Sequence, residues 1–276
     1  MHPLHPRLTP ANGHVALAAL KGRVTADRFV DGLPRSVSRP VADLLRRPGA
    51  GLDCQLLFGA AFLVLEEQAG FAFGQAVKDG YCGYVRLTDI GAPVTPSHRI
   101  SALASHVYSA ADIKSPAITS LPFGAKVEVG DMAKGFAVLT SGGYVPAQHL
   151  APLSQAEPDF VAVFQRFTGI PYLWGGNSTR GMDCSGAVQL SLDAAGRDCP
   201  RDSDMQLGLG TELPAGQPKK RGDLVFWKGH VGAMLDATDL IHANAHHMAV
   251  ATEPLAIAER RIAENGGGPV LAVRRL

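Results

Sequence analysis

The sequence predicts a multidomain chain in which two small all-β barrels precede an α+β domain. Three observations predict it. Over 39–152, two successive sets of short apolar runs alternate with turn residues and share recurring short motifs. A proline-bounded stretch, Pro152 to Pro158, separates them from the C-terminal part of the chain. In that part, a glycine-rich loop leads into a helical pattern and then into two strand-like runs that each carry a histidine. At 276 residues the chain exceeds the usual domain size of about 100 to 150 residues, so several domains are expected.

Residues 1–38 mix proline and charge with one short helical patch, Ala26 to Val30, and read as an arm draped over other domains. Three prolines break the first ten residues, and the apolar run 15–20 ends at Lys21 without a small-residue cleavage signature. This is not a signal-peptide pattern, so a cytoplasmic protein with reduced cysteines is expected. The first barrel is expected over 39–95, with runs at 55–59, 61–65, 71–77 and 81–86 and a turn at Asp79-Gly80. A second barrel over 96–152 has runs at 101–108, 117–121, 126–130, 136–140 and 143–147. Phe-Gly at 58–59 and 123–124, with Gly-Tyr-Val at 83–85 and 143–145, marks an internal repeat. The α+β domain occupies 153–276.

Chemistry concentrates in that last domain. Cys184 follows the glycine-rich loop and opens an apolar segment that ends at Gly196, with Asp183 as N-cap. A thiol in the first helical turn meets the positive end of the macrodipole, which favours its thiolate. His230 and His242 begin or lie in the following strand-like runs, in the chain order of a papain-like layout, where a helix bearing the cysteine packs on an antiparallel sheet. There His230 serves as base and a third polar group orients it; His242 is preferred for that part, with His246, His247 and Asn244 as alternatives. Cys54, Cys82 and Cys199 read as small buried hydrophobes. The ten histidines and four cysteines show no metal-ligand spacing, so neither a metal nor another cofactor is expected. A net charge of +1 gives no basic field for nucleic acid, and no apolar run approaches the roughly 20 residues that span a bilayer.

Six segments then carry a resemblance. Tyr172-Leu-Trp-Gly-Gly, Asp183-Cys-Ser-Gly, Pro200-Arg-Asp-Ser, Gly222-Asp-Leu-Val-Phe-Trp, Gly229-His-Val-Gly and Ile241-His-Ala look like the NlpC-type family of bacterial cell-wall cysteine peptidases. The match runs from about Asp159 to the C-terminus, and the upstream half is similar to bacterial SH3 domains. The resemblance implies a papain-like cysteine peptidase that cleaves the bond between γ-D-glutamate and a diamino acid in peptidoglycan stem peptides. It implies Cys184, His230 and His242 as the catalytic set, and Tyr172, Asp183, Ser185, Arg201, Asp202 and Ser203 as substrate-binding residues. Asp183 or Asp202 suits the free amine of L-alanine, while Arg201, Ser185 and Ser203 suit the α-carboxylate of D-glutamate. Tyr172 is placed to donate to the oxyanion or the substrate. In recycling-type relatives the first SH3-like domain walls off the amine end of the cleft; Tyr81 or Tyr84 is the candidate here, each also fitting as barrel core.

With a cytoplasmic location, release of L-Ala-D-Glu from free-amine murein peptides during cell-wall recycling is expected. Two other classes stand beside it, an inactive wall-peptide-binding scaffold and a papain-like acyltransferase or amidase on another substrate. Retention of Cys184, His230 and His242 together speaks against the scaffold. The partners expected are stem peptides, with no nucleic acid and no membrane; the diamino acid and the oligomeric state are open.

Overall fold

The computed structural model describes residues 4–276, so the first three residues of the proline-rich start lie outside the described residues. The chain divides into two compact units, Met1–Leu153 and Ser154–Leu276.

In the first unit, β1 (Val15–Leu17) and β2 (Arg28–Val30) pair in parallel. The helical patch expected at 26–30 is therefore a strand. Val30 packs beside the core formed by Val15, Leu65 and Phe73, and tertiary burial overrides weak local helix preference. A seven-stranded sheet comes next, built from β3 (Leu33–Val37), β4 (Val41–Leu45), β5 (Leu52–Leu57), β6 (Ala61–Gln68), β7 (Phe71–Ala76), β8 (Cys82–Arg86) and β9 (Ile90–Gly91). Its order is β5-β4-β8-β7-β6-β3-β9. β3 pairs with both β6 and β9, so the end of the expected arm is built into this sheet.

The next strands are β10 (His98–Ile100), β11 (Ala104–Tyr108), β12 (Ala117–Pro122), β13 (Lys126–Val127), β14 (Val129–Ala133), β15 (Phe136–Leu139), β16 (Tyr144–Pro146) and β17 (Leu150–Pro152). They form sheets of order β12-β11-β16-β15-β14 and β13-β10-β17. This is the first set's pairing plan repeated, with β13 and β14 together in the place of the single long β6. Matching turns support the equivalence. Ala69-Gly70 and Lys134-Gly135 both have positive φ, 49° and 82° against 49° and 81°, as a two-residue type I′ hairpin requires. Ile100, Val107, Leu121, Val127, Leu139 and Val145 form the core of the second set.

The second unit centres on an antiparallel sheet of six strands, ordered β20-β25-β21-β22-β23-β24. These are β20 (Thr211–Glu212), β21 (Leu224–Trp227), β22 (His230–Met234), β23 (Asp239–Asn244), β24 (Ala249–Pro254) and β25 (Ala272–Arg275), while β18 (Asn177–Ser178) and β19 (Gly181–Met182) make a separate hairpin. The helices are α1 (Phe160–Arg166), α2 (Cys184–Ala194), α3 (Ser203–Gln206) and α4 (Leu255–Glu264). α2 is buried along nearly its whole circumference, because it packs on α1 as well as on β22 and β23. Val225, Trp227, Met234 and Leu240 instead form a core with Leu255 and Ala258 of α4. Among the described residues no helix is long and apolar enough to cross a membrane.

Candidate active site

The loop before α2 is pinned at both ends. Tyr172 N–H donates to the Met248 carbonyl at 2.9 Å, and Asp183 N–H donates to the Gly176 carbonyl at 3.1 Å. Asp183 has the extended backbone of an N-cap, and its Oδ1 accepts from Gly186 N–H at 2.7 Å. Cys184 is thereby the first residue of α2, as expected, with its N–H among those the helix cannot satisfy internally.

Asp183 does more than cap. Arg201, 1% exposed, donates through Nη1 to Oδ1 at 3.0 Å and through Nη2 to Oδ2 at 2.8 Å. The same guanidinium reaches Ser185 Oγ at 2.9 Å and the Gly176 carbonyl at 3.2 Å, and Gly175 N–H donates to Asp183 Oδ2 at 2.9 Å. One buried bidentate pair thus ties the glycine-rich loop to the first turn of α2. A β-carbon on Gly186 would lie 2.4 Å from the Gly176 carbonyl oxygen, so only glycine permits this approach.

The backbone N–H groups of Val231 and Ser185 face the Cys184 thiol and favour its charged form. Val231 follows His230 on β22, so the thiol sits at the start of that strand. Burial pushes the thiol up to about 12, and Asp183 adds to the rise; the two N–H groups and Arg201 pull the other way. This reverses the expectation of a favoured thiolate. A helix terminus is worth about 0.3–1 kcal/mol, less than the ~1.4 kcal/mol of a single pKa unit, and desolvation of a fully buried sulfur is larger.

His230 and His242 belong to a longer chain of hydrogen bonds. His230 Nε2 lies 2.8 Å from His242 Nδ1, and His242 Nε2 lies 2.8 Å from Glu253 Oε1. Arg261 of α4 in turn bonds Glu253 Oε1 through Nη2. Burial alone would raise the Glu253 carboxyl, but His242 and Arg261 bring it down to about 2, so it is a carboxylate and an acceptor only. His242 Nε2 therefore carries the proton and its Nδ1 carries the lone pair. His230 Nε2–H must then donate to that lone pair, which leaves His230 Nδ1 unprotonated in the neutral ring. Burial, with His242 and Arg261 adding to it, lowers His230 to about 3. Burial also lowers His242, against the pull of Glu253.

Glu253 and Arg261 do not stand out in the sequence. The available signal is strand alternation, since Glu253 is a buried acid on β24 beside two exposed neighbours, Thr252 and Pro254, with an arginine eight residues on. Of the alternatives for the orienting group, Asn244 Oδ1 accepts from His247 N–H at 2.8 Å, and His246 and His247 are exposed. His242, His247 and Glu253 bring donor atoms within 4.8 Å of one another, a set of metal-ligand type. Both ring nitrogens of His242 are already committed within the hydrogen-bond chain.

The remaining predicted residues scatter more widely. Tyr172 is half-buried beside Cys184 and Asp183, and burial raises its phenol first, the two neighbours second. Ser185 is buried and donates to Asp183 Oδ1 at 3.3 Å. Asp202 precedes α3 as its N-cap without a side-chain cap bond, and Ser203 opens that helix; both are half-buried. In the first unit, Tyr81 is buried just before β8, while Tyr84 stacks on Phe73 with ring centroids 5.0 Å apart and its hydroxyl accepts from Asn12 at 3.1 Å.

Comparison with known proteins matches residues 169–261 to the NlpC/P60 family and residues 44–90 to the bacterial dipeptidyl-peptidase Sh3 domain. The chain is 32% identical over 219 residues to the gamma-D-glutamyl-L-lysine dipeptidyl-peptidase of Bacillus subtilis, covering 70% of this chain and 72% of that protein. A protein of the same name from Bacillus cereus is 30% identical over 122 residues, covering 41% and 36%. The crystal structure of an NlpC/P60 family protein from Bacillus cereus superposes with a TM-score of 0.73 over 88% of this chain and 99% of its own, at 16% identity, a likeness of fold. With a papain-like unit behind an SH3-like domain and a relative matched along most of its length, the chain belongs to the NlpC/P60 family and is a cell-wall cysteine peptidase.

Proposed function

We propose that the protein hydrolyses the bond between γ-D-glutamate and a diamino acid in peptidoglycan stem peptides, releasing L-Ala-D-Glu from free-amine murein peptides during cytoplasmic cell-wall recycling. The observation that carries this reading is Cys184 at the first position of α2, beside the strand whose first residue, His230, heads the chain to His242 and Glu253. The name of the Bacillus subtilis relative agrees with the bond class. An unbroken hydrogen-bond chain behind His230 also speaks against an inactive scaffold.

In the proposed reaction His230 Nδ1 takes the Cys184 proton as sulfur attacks the γ-carbonyl carbon, and Tyr172 with the Cys184 N–H faces the oxyanion. The C–N bond breaks as His230 returns that proton to the departing α-amine, leaving a thioester. Water, deprotonated by His230, then breaks the C–S bond to give the free γ-carboxyl and restore the thiol. The neutral thiol and neutral imidazole favour concerted proton transfer over a preformed ion pair. No cofactor takes part.

Asp183, Ser185, Arg201, Asp202 and Ser203 are proposed to surround the L-Ala-D-Glu part. Arg201 has no solvent-exposed side-chain surface, which assigns it to holding Asp183 and Ser185 in place. We read the second strand set, 96–152, as a second SH3-like barrel because its pairing plan repeats that of the first. Gating at the amine end by Tyr81 or Tyr84 belongs to the same reading, although Tyr81 is buried and Tyr84 is held by Phe73 and Asn12.

The test is incubation with L-Ala-γ-D-Glu-meso-diaminopimelate and mass spectrometry of the products, with Cys184→Ala as control. Release of L-Ala-D-Glu by the wild type alone is expected. Acyl transfer to an added amine without hydrolysis would replace the reading with the transferase alternative.

A further inference from the structure

The hydrogen-bond chain behind His230 runs in one direction because His242 carries its proton on Nε2. A cation that takes the place of that proton reverses the chain. Donor atoms of His242, His247 and Glu253 lie within 4.8 Å of one another. His247 is exposed and takes no part in the chain. Asn244 Oδ1 receives the His247 backbone N–H at 2.8 Å, which fixes that oxygen as an acceptor, and it lies 3.0 Å from His247 Nδ1. Nδ1 therefore bears the proton, and Nε2 keeps the lone pair that a metal needs. Asn244 is buried, and its Nδ2 donates to the His242 carbonyl at 3.4 Å. A polar group held behind an imidazole in this way is how proteins orient a ligating histidine. On Glu253, His242 and Arg261 both use Oε1, which leaves Oε2 to a further partner.

We propose that His242, His247 and Glu253 form an inhibitory site for a zinc-type divalent cation, which locks the catalytic histidine in the tautomer that cannot act as a base. The inhibition rests on the proposed peptidase reading, whereas the site itself does not. Two imidazoles and a carboxylate suit zinc, with water in the fourth position. Arg261 offsets the charge of Glu253, so the ion is held reversibly and not as a structural metal. Binding moves two protons and releases none. His242 loses the proton on Nε2 to make room for the metal and gains one on Nδ1, which now donates to His230 Nε2. His230 in turn gives up its Nε2 proton and carries one on Nδ1. That atom then has no lone pair with which to take the proton of Cys184.

The experiment has a binding arm, a tautomer arm and a kinetic arm, all on the full chain with zinc as the probe. In Cys184→Ala, which lacks the thiol as a competing ligand, titration against a chromophoric chelator is expected to show one zinc site. Adding His247→Ala is expected to weaken that site about 10-fold or more, while His246→Ala at the exposed neighbour leaves it unchanged. Imidazole nitrogen NMR of Cys184→Ala is expected to show the His230 proton moving from Nε2 to Nδ1 as zinc is added. With L-Ala-γ-D-Glu-meso-diaminopimelate, saturating zinc is expected to lower kcat of the wild type about 10²-fold with little change in KM. His247→Ala is expected to keep the metal-free rate and to need correspondingly more zinc for inhibition. Loss of the site in Cys184→Ala, or an affinity that His247→Ala does not alter, would assign zinc to the thiol and overturn the proposal. An unmoved His230 proton with zinc bound would overturn it as well. Absence of Cys184-dependent cleavage without metal would sink the peptidase reading and the inhibition with it, while the binding and NMR arms still decide the site.

Discussion

At the residue scale, the thiol and imidazole at the centre are both neutral over a wide range. With Cys184 pushed up to about 12, its alkylation by iodoacetamide is expected to be slow at neutral pH and to keep rising with pH. A plateau already reached near pH 5 would show a preformed ion pair instead. On the acid side His230 has a folded value of about 3 against an ordinary 6.5, so the unfolded chain binds its proton first. That contribution to stability is present above about 6.5 and is lost as pH falls toward 3. Glu253, at about 2 against 4.5, adds a loss in the same direction below 4.5. Urea midpoints at pH 7, 5 and 4 are expected to decline in that order, and a flat series would contradict both assignments.

Glu253 is a positioning residue for the proposed base. In Glu253→Gln an amide nitrogen can face His242 Nε2, move the proton to Nδ1 and reverse the donor direction to His230. kcat is expected to fall about 10²-fold with little change in KM, and Glu253→Asp to recover part of it. An unchanged kcat in the glutamine variant would remove Glu253 from the machinery. Cys184, His230 and His242 are legible in the sequence as candidates because a cysteine at a helix start and two strand histidines are rare residue types in a recognisable order. Glu253 is not, because Ala-Thr-Glu-Pro carries no motif and its meaning depends on which strand pairs with β23.

At the element scale, α2 depends on the clamp formed by Asp183 and Arg201. Breaking a buried pair leaves an uncompensated charge and costs about 3–5 kcal/mol, so Arg201→Met is expected to lower unfolding stability by that order in urea titration. A loss within about 0.5 kcal/mol would mean that Asp183 finds full compensation elsewhere. The start of α2 is legible from the Asp-Cys-Ser-Gly pattern, whereas the clamp is not, since Arg201 reads equally well as a ligand-binding cation. The strand at Arg28–Val30 reads as helix in the sequence because three residues are too short to show a period, and its partner, Val15–Leu17, is found only through tertiary pairing.

At the scale of the whole molecule, two units carry separate cores, and the repeat announced by Phe-Gly and Gly-Tyr-Val extends to a shared strand order. Those motifs are legible because turns and close contacts restrict residue choice more than strand faces do. The β3 strand is hidden for the opposite reason: Leu-Pro-Arg-Ser-Val places a proline where a strand is not read, although it pairs with Leu63 of β6.

Cys184 is proposed to cleave after γ-linked D-glutamate in small free-amine peptides. The most direct measurement places the purified protein with L-Ala-γ-D-Glu-meso-diaminopimelate, its N-acetylated counterpart and intact sacculi, and follows products by mass spectrometry against Cys184→Ala. L-Ala-D-Glu is expected from the free-amine peptide alone, and none with the variant. Equal cleavage of the acetylated peptide or of sacculi would contradict the recycling role, and product formation by Cys184→Ala would contradict the assignment of the nucleophile.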